Sequence, residues 1–237
     1  MLFRSPSAVA VFGAALPQLE VYAALLAGAG VERGLLGPRE AARLWERHLL
    51  NCVGVAELLE PGCVVLDLCS GAGLPGLVLA LHRPDVQVVL VEPLQRRAAF
   101  LSEAVQTLSL RTVVVRRARA EELHGTVEVD VVTARAVAPL ERLAGWAMPL
   151  LRPGGRLLAL KGEQAQTELD AALPGLRRAG ASSAEVVHVG STELATRARV
   201  VLATRSATAA ATVRAARRPS SVRTGGISAT STRKDRR

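Results

Sequence analysis

The residues with the clearest chemical potential stand in one short stretch. An apolar run, Val64-Val65-Leu66, carries Asp67 near its end and passes through Leu68-Cys69-Ser70 into Gly71-Ala72-Gly73-Leu74-Pro75-Gly76. A second apolar run, Val88-Val89-Leu90-Val91, ends on Glu92. Runs of this kind read as buried parallel strands, and the glycines let the backbone turn tightly against a ligand at the mouth of the next helix. An acid closing the second strand can accept hydrogen bonds from both ribose hydroxyls of an adenosine. A nucleotide-like cofactor is therefore expected on Gly71, Gly73 and Glu92.

Two cofactors satisfy that pattern. Gly71-x-Gly73-x-x-Gly76 followed by Glu92 also meets the dinucleotide fingerprint, which points to NAD. Asp67 precedes the glycines instead of following them, and a buried carboxylate is costly unless a cation or a hydrogen-bond donor meets it. The ammonium of a methionine moiety is such a partner, so Asp67 favours S-adenosylmethionine. Pro75 has a fixed φ suited to a first helical turn and offers no N–H to a pyrophosphate. A methyltransferase is the preferred reading and a dehydrogenase the alternative.

Strands and helices alternate along the rest of the chain. Helices are predicted over 16–29, 38–59, 76–82, 93–108, 139–151 and 163–178, with a short one at Glu121. Strands are predicted over 63–68, 86–92, 112–116, 129–134, 156–161, 184–189 and 199–204, the fifth following a Pro153-Gly154-Gly155 turn. This is the pattern of an α/β, doubly wound, mostly parallel seven-stranded Rossmann-like sheet. Working residues in such sheets lie past the carboxyl ends of the strands: Asp67, Glu92, the Ala120-Glu121 pair, Arg135 and Lys161. Ala120-Glu121 is where an adenine would lie, although Glu121 also reads as an ordinary first-turn acid. Arg135 can clamp a carboxylate or phosphate, or close a strand-end salt bridge, but cannot act as a base. Lys161 can hold a phosphate or purine, or simply extend to solvent from a strand end.

Composition bounds the rest. The 237 residues are 49% hydrophobic, enough for a core, and no run of about 18 apolar residues is free of charge, Pro or Gly, so no membrane span is expected. Phe12, Leu16, Leu19, Tyr22, Ala23 and Leu26 repeat at helical spacing, which argues for a helix and against a signal peptide. Cys52, Cys63 and Cys69 lack metal-ligand spacing and read as apolar fillers in a reducing, cytoplasmic compartment; no metal is expected. Of the net charge of +9, +7 lies from Ser206 onward, where eight basic residues face the single acid Asp235. That segment has nothing to build a core from and is expected to be a disordered, polyanion-binding arm or an incidental appendage. The predicted organisation is a helical extension over 1–60, a catalytic domain over 61–205 and a basic tail over 206–237.

Absences narrow the reaction. No Asn/Asp-Pro-Pro-aromatic stretch follows the fourth strand to hold an exocyclic amine, and no cysteine there could attack a pyrimidine. A ring nitrogen such as guanine N7 needs neither, because its lone pair is available and carries no proton; catalysis is then mainly alignment.

These residues resemble the bacterial small-subunit ribosomal RNA methyltransferase G family, also called glucose-inhibited division protein B. The likeness runs from Leu35 to Thr204 through Gly37-Pro38-Arg39-Glu40, Trp45-Glu46-Arg47-His48-Leu49-Leu50-Asn51, the Ser70–Gly76 loop, Arg119-Ala120-Glu121-Glu122, Ala134-Arg135-Ala136 and Ala159-Leu160-Lys161-Gly162. The Glu92-Pro93-Leu94 and 138–146 segments look like its actinobacterial branch. The resemblance implies S-adenosylmethionine-dependent methylation of guanosine N7 in the 530 loop of 16S rRNA, in the small ribosomal subunit or an assembly intermediate, by a monomer. It implies cofactor contacts at Cys69, Leu74, Ala120, Glu121 and Arg135, and a His48 that faces the site. The family usually has Gly where Cys69 stands, so the Cβ and sulfur are expected to crowd the methionine moiety or shift the backbone. Methylation of a small acidic metabolite, and dinucleotide or RNA binding without methylation, are the other functions weighed.

Overall fold

Along the strand Val64–Leu68 (β1), successive side chains leave by opposite faces of a sheet. Val65 joins one apolar cluster, with Val88, Val131, Leu158 and Val200, whereas Leu66 and Leu68 join another, with Val132, Leu157, Ala159 and Val201. Burial of both faces is what a parallel sheet requires, and it is why these strands read as continuous apolar runs. Val65, Leu66 and Leu68 each contribute roughly 2 kcal/mol on burial, which offsets a cost of several kcal/mol for holding Asp67 among them.

The computed structural model describes residues 6–135, 137–190 and 197–207. With β1 stand β2 (Gln87–Val91), β3 (Val113–Arg116), β4 (Val129–Arg135), β5 (Leu151–Lys161), β6 (Ala181–Val189) and β7 (Ala198–Arg205), in the order β3-β2-β1-β4-β5-β7-β6. Pairings from β3 to β5 are parallel; β7 is antiparallel to both β5 and β6. The helices are α1 (Pro6–Phe12), α2 (Leu16–Leu25), α3 (Leu50–Val53), α4 (Gly76–His82), α5 (Gln95–Thr107), α6 (Leu140–Ala147) and α7 (Ala165–Arg178). Those from α1 to α5 bury their apolar residues in the first cluster, and α6 and α7 in the second, so helices cover both faces. Strand order reverses between β1 and β4, which opens a crevice above their carboxyl ends.

Several elements differ from their sequence-based outlines. The helix predicted over 38–59 changes winding, with 3-10 turns over Pro38–Arg43, a π turn over Trp45–Leu49, then α3 and a 3-10 turn over Gly54–Leu58. The wide π turn keeps Trp45, His48 and Leu49 buried while Arg47 stays at the surface. Strand β5 begins at Leu151, opposite Val129, because a bulge between Val129 and Val131 absorbs the expected turn. Gly155 is needed there, since a Cβ would stand 2.9 Å from Asp130 O.

At the N-terminus, Ser7–Gly30 is a helix long and apolar enough to cross a membrane by length and composition. Here its Phe12, Leu19, Tyr22 and Leu26 are core residues packed on the sheet, so the helix belongs to the fold. The arginine-rich segment over 208–237 lies outside the described residues.

Candidate cofactor and substrate site

Beyond Leu68 the chain turns left-handed at Cys69 (φ +54), Gly71 (φ +57) and Gly73 (φ +96), which ends β1 and lays a loop across the crevice. The loop is tight from beneath. A Cβ on Gly73 would stand 3.0 Å from the Tyr22 hydroxyl, and one on Gly76 2.7 Å from Asp67 Oδ2. Tyr22, the only tyrosine in the chain, donates its hydroxyl to Ala72 O at 2.7 Å and so pins the loop to α2. Burial pushes that hydroxyl well above the ordinary tyrosine range, so it remains a donor.

Above the loop is a cavity of about 760 Å³, within the range of small-molecule sites. Cys69, Gly71, Ala72 and Leu74 form its floor; Glu92, Leu94 and Arg97 follow β2; Arg117, Arg119 and Glu122 follow β3; His48, Arg135 and Trp146 close the remaining side.

Glu92 is nearly fully buried and ties two loops together. Its Oε2 accepts the Gly71 N–H and its Oε1 the Leu94 N–H, both at 3.0 Å. Each oxygen retains a second lone pair, so the ribose-acceptor chemistry expected of it is preserved. Cys69 lines the floor with its thiol pushed up to about 11, by burial first and then by Glu92. It stays protonated and inert at neutral pH.

Arg135 ends β4 and lines the cavity. Its Nη1 donates to Cys52 Sγ at 3.3 Å, and its Nη2 to Arg47 O at 3.2 Å and His48 Nδ1 at 2.8 Å. Since a guanidinium only donates, Nδ1 is the acceptor; Nε2 then carries the hydrogen and donates to Glu40 Oε2 at 2.8 Å. Burial, then the charge of Arg135, holds His48 below its ordinary pKa, which keeps that neutral tautomer.

Five residues expected at the site lie elsewhere. Asp67 is fully buried beneath the loop instead of lining the cavity: its Oδ2 accepts the Gly76 N–H at 3.1 Å at the start of α4, and its Oδ1 has no hydrogen-bond partner. Desolvation raises its pKa to about 7. Gly73 serves the underside of the loop, as its close neighbours Leu77 and Tyr22 show. Ala120 points into the second core cluster, and Glu121 is held by its own backbone N–H and the Trp146 side chain, which lower its pKa; Arg119 and Glu122 on either side face the cavity instead. Lys161 donates to Glu168 Oε1 at 2.6 Å and Ala138 O at 3.1 Å, while the same Glu168 oxygen accepts the Leu140 N–H. It braces the segment between β4 and α6 and does not line the cavity.

Trp146, Arg97, Arg117 and Leu94 line the cavity without having been anticipated. Leu94, two residues after Glu92, carried the one readable signal: it is a large apolar side chain left 53% exposed just past the end of a strand.

The far edge of the sheet separates it from a dinucleotide-binding one. A Rossmann dinucleotide sheet runs 3-2-1-4-5-6, whereas here β7 enters antiparallel between β5 and β6. That is the arrangement of class I methyltransferases, which use S-adenosylmethionine, and this chain is one of them. The residues present fit that cofactor: the cavity has the volume, Glu92 has free acceptor capacity, and the glycine loop leaves the floor clear. The family model described as rRNA small subunit methyltransferase G matches residues 15–200, and the chain belongs to that family. A ribosomal RNA small subunit methyltransferase G of Thermobifida fusca is 53% identical over 220 residues, covering 91% of this chain and 93% of its own. One from Streptomyces avermitilis is 56% identical over 181 residues, 76% of each chain. Among solved structures, precorrin-6y C5,15-methyltransferase of Geobacter metallireducens superposes with a TM-score of 0.51 at 17% identity, over 73% of this chain and 91% of its own. M. jannaschii TYW2 in complex with AdoMet gives 0.50 at 17% identity, over 63% and 71%. Both share the fold.

Proposed function

We propose that this enzyme methylates N7 of a guanosine in the 530 loop of 16S rRNA, acting in the cytoplasm as a monomer on the small ribosomal subunit or an assembly intermediate. The observation that supports the N7 assignment is that the one imidazole lining the cavity, His48, has both ring nitrogens engaged, Nδ1 by Arg135 and Nε2 by Glu40, and so is not placed to take a proton from an amine. Both Glu92 oxygens hold backbone N–H groups, and Cys69 stays a thiol. Glu122 Oε2 accepts the Arg119 N–H at the β3 end. An exocyclic amine would have to lose a proton on methylation; N7 has none to lose.

Cys69, Gly71, Leu74, Glu92 and Arg135 are the residues assigned to hold S-adenosylmethionine, with Asp67 shaping the loop from below. When bound, the cofactor supplies an electrophilic methyl group on a sulfonium sulfur. Arg135 does the positioning. Three of its five N–H groups are held by Cys52, Arg47 and His48, leaving two for an acceptor on the incoming base or for the cofactor carboxylate. Rigid placement of the reacting nitrogen accounts for much of the barrier reduction, on the order of 7–11 kcal/mol in well-oriented systems.

The test is incubation of the full chain with unmodified 16S rRNA or small subunits and S-adenosylmethionine, followed by reduction and aniline scission, which cuts RNA at N7-methylguanosine. One new cut in the 530 loop is the expected result. Methyl incorporation without such a cut refutes the N7 assignment, and no incorporation refutes the substrate.

A further inference from the structure

Outside the cavity, the 3-10 and π turns over 38–49 place three arginines beside the reacting edge. Arg39 and Arg43 are exposed and in no ion pair among the described residues; Arg47 is largely exposed and pairs with Glu40 at 3.3 Å. Arg43 and Arg47 both lie near enough to Glu40 to lower its pKa, and Arg39 directly precedes Glu40 in the same 3-10 stretch. The stretch is fastened to the site from behind, where the Arg47 carbonyl and the His48 ring hold the Arg135 guanidinium. Leu35 and Leu36, just before it, line the cavity, but none of the three arginines does. A small molecule seated in the cavity would therefore leave them untouched. A polymer that delivers one unit to Arg135 and continues outward would pass over them.

We propose that this stretch is the docking surface for the phosphodiester backbone flanking the target nucleotide, with Arg39, Arg43 and Arg47 as phosphate ligands. The inference rests on the reading of the substrate as RNA and adds where that RNA lies. Within the stretch the acids are Glu40, already engaged by His48 and Arg47, and the exposed Glu46. Elsewhere, many arginines are neutralised in ion pairs such as Arg33–Glu103, Arg83–Asp85 and Arg178–Glu141. Phosphate contacts position RNA without reading its sequence, so this surface sets register while the cavity selects the base.

The test uses the full chain, in-vitro transcribed 16S rRNA and, separately, S-adenosylmethionine. The double variant Arg39→Gln/Arg43→Gln is expected to lose roughly tenfold in RNA affinity and to flatten the plot of log affinity against log salt by about one unit per arginine. Cofactor affinity by calorimetry is expected to be unchanged. Arg39→Lys/Arg43→Lys keeps the charge and is expected to restore most of the binding. The control Arg111→Gln/Arg177→Gln removes the same charge from exposed sites away from the cavity and is expected to leave RNA binding close to wild type. Equal losses in the two glutamine doubles, or an unchanged salt slope in the first, overturn the surface while the RNA reading stands. A wild-type chain that neither binds nor methylates the RNA overturns that reading and the surface with it.

Discussion

The Arg135 guanidinium donates to His48 Nδ1 at 2.8 Å, across a gap of 87 residues in sequence, so a strand end and a π turn jointly build the reacting edge of the cavity. The line continues through His48 Nε2 to Glu40. The Arg135 guanidinium is thus held by a neutral ring whose tautomer is set by an acid that does not line the cavity.

The line makes Glu40 a positioning residue. Glu40→Ala is expected to lower kcat by about tenfold, the worth of a hydrogen bond to a charged group, at roughly 1.5 kcal/mol. KM for S-adenosylmethionine should hold, and Glu40→Gln, which can still accept from Nε2, should recover most of the rate. Arg135→Ala is expected to abolish transfer while the chain remains folded, as far-UV circular dichroism would show, although loss of its bonds to Cys52, Arg47 and His48 lowers the thermal transition. Full activity in Arg135→Ala would remove the guanidinium from the mechanism.

Acidity should break the same line. Because the folded state holds the His48 pKa below 6.5, protonation favours the unfolded chain; the stability contribution is present above that value and falls as pH drops through it. A protonated ring would also face the Arg135 cation. Melting temperature and methyl transfer are both expected to decline below about pH 6.5, more steeply in wild type than in His48→Asn. Parallel pH profiles for the two proteins would contradict this origin.

Lys161 is expected to matter through backbone placement. Lys161→Met removes an ion pair whose lysine side chain is only 9% exposed and leaves Glu168 holding the Leu140 N–H alone. Loss of one partner of a largely buried pair costs on the order of 3 kcal/mol, enough to lower the melting temperature by several degrees. Cofactor affinity should change little. A variant with wild-type stability and no activity would place the ammonium in the chemistry after all.

Legibility in the sequence followed the locality of the cause. Val64–Gly76 and Glu92 were readable because strand, loop and acid are each set by neighbours in the chain. So was Arg135, as a cation at a strand end. The role of Lys161 was hidden because its partners, Ala138 and Glu168, are supplied by packing. Tyr22 was legible only as one of the residues repeating at helical spacing; its bond to Ala72 spans 50 positions and has no local signature. At Ala120-Glu121 the facing of the side chains was not legible: in the 3-10 turn Ala120–Leu123 Ala120 is buried in the core, and Arg119 and Glu122 line the cavity. The bulge opposite Val129 moved the start of β5 for a similar reason, since only the partner strand reveals it.

Asp67 gives a prediction of opposite sign to His48. Burial raises its folded pKa from 3.8 to about 7, so its stabilising contribution is fully present below the unfolded value and lost as pH rises to about 7. Asp67→Asn should flatten the stability profile between these limits, measured as melting temperature at pH 5 and pH 8. The Gly76 N–H still finds an amide oxygen in that variant. An unchanged profile would mean that the carboxyl titrates normally and that the unpartnered Oδ1 is met by solvent.

Cys69 shows how far the loop tolerates a side chain at a left-handed backbone position. Its φ of +54 costs an L-residue about 1–2 kcal/mol, while glycine loses roughly 0.5–1 kcal/mol more conformational entropy on folding. Relief of the strain outweighs the added entropy loss, so Cys69→Gly is expected to raise the melting temperature by a few degrees. The thiol is protonated and lines the floor, so its removal takes no charge from the cavity and adds room. Calorimetric affinity for S-adenosylmethionine should therefore stay equal or improve. A marked loss of affinity would mean that the sulfur packs against the cofactor and that the enzyme has adapted its floor to it.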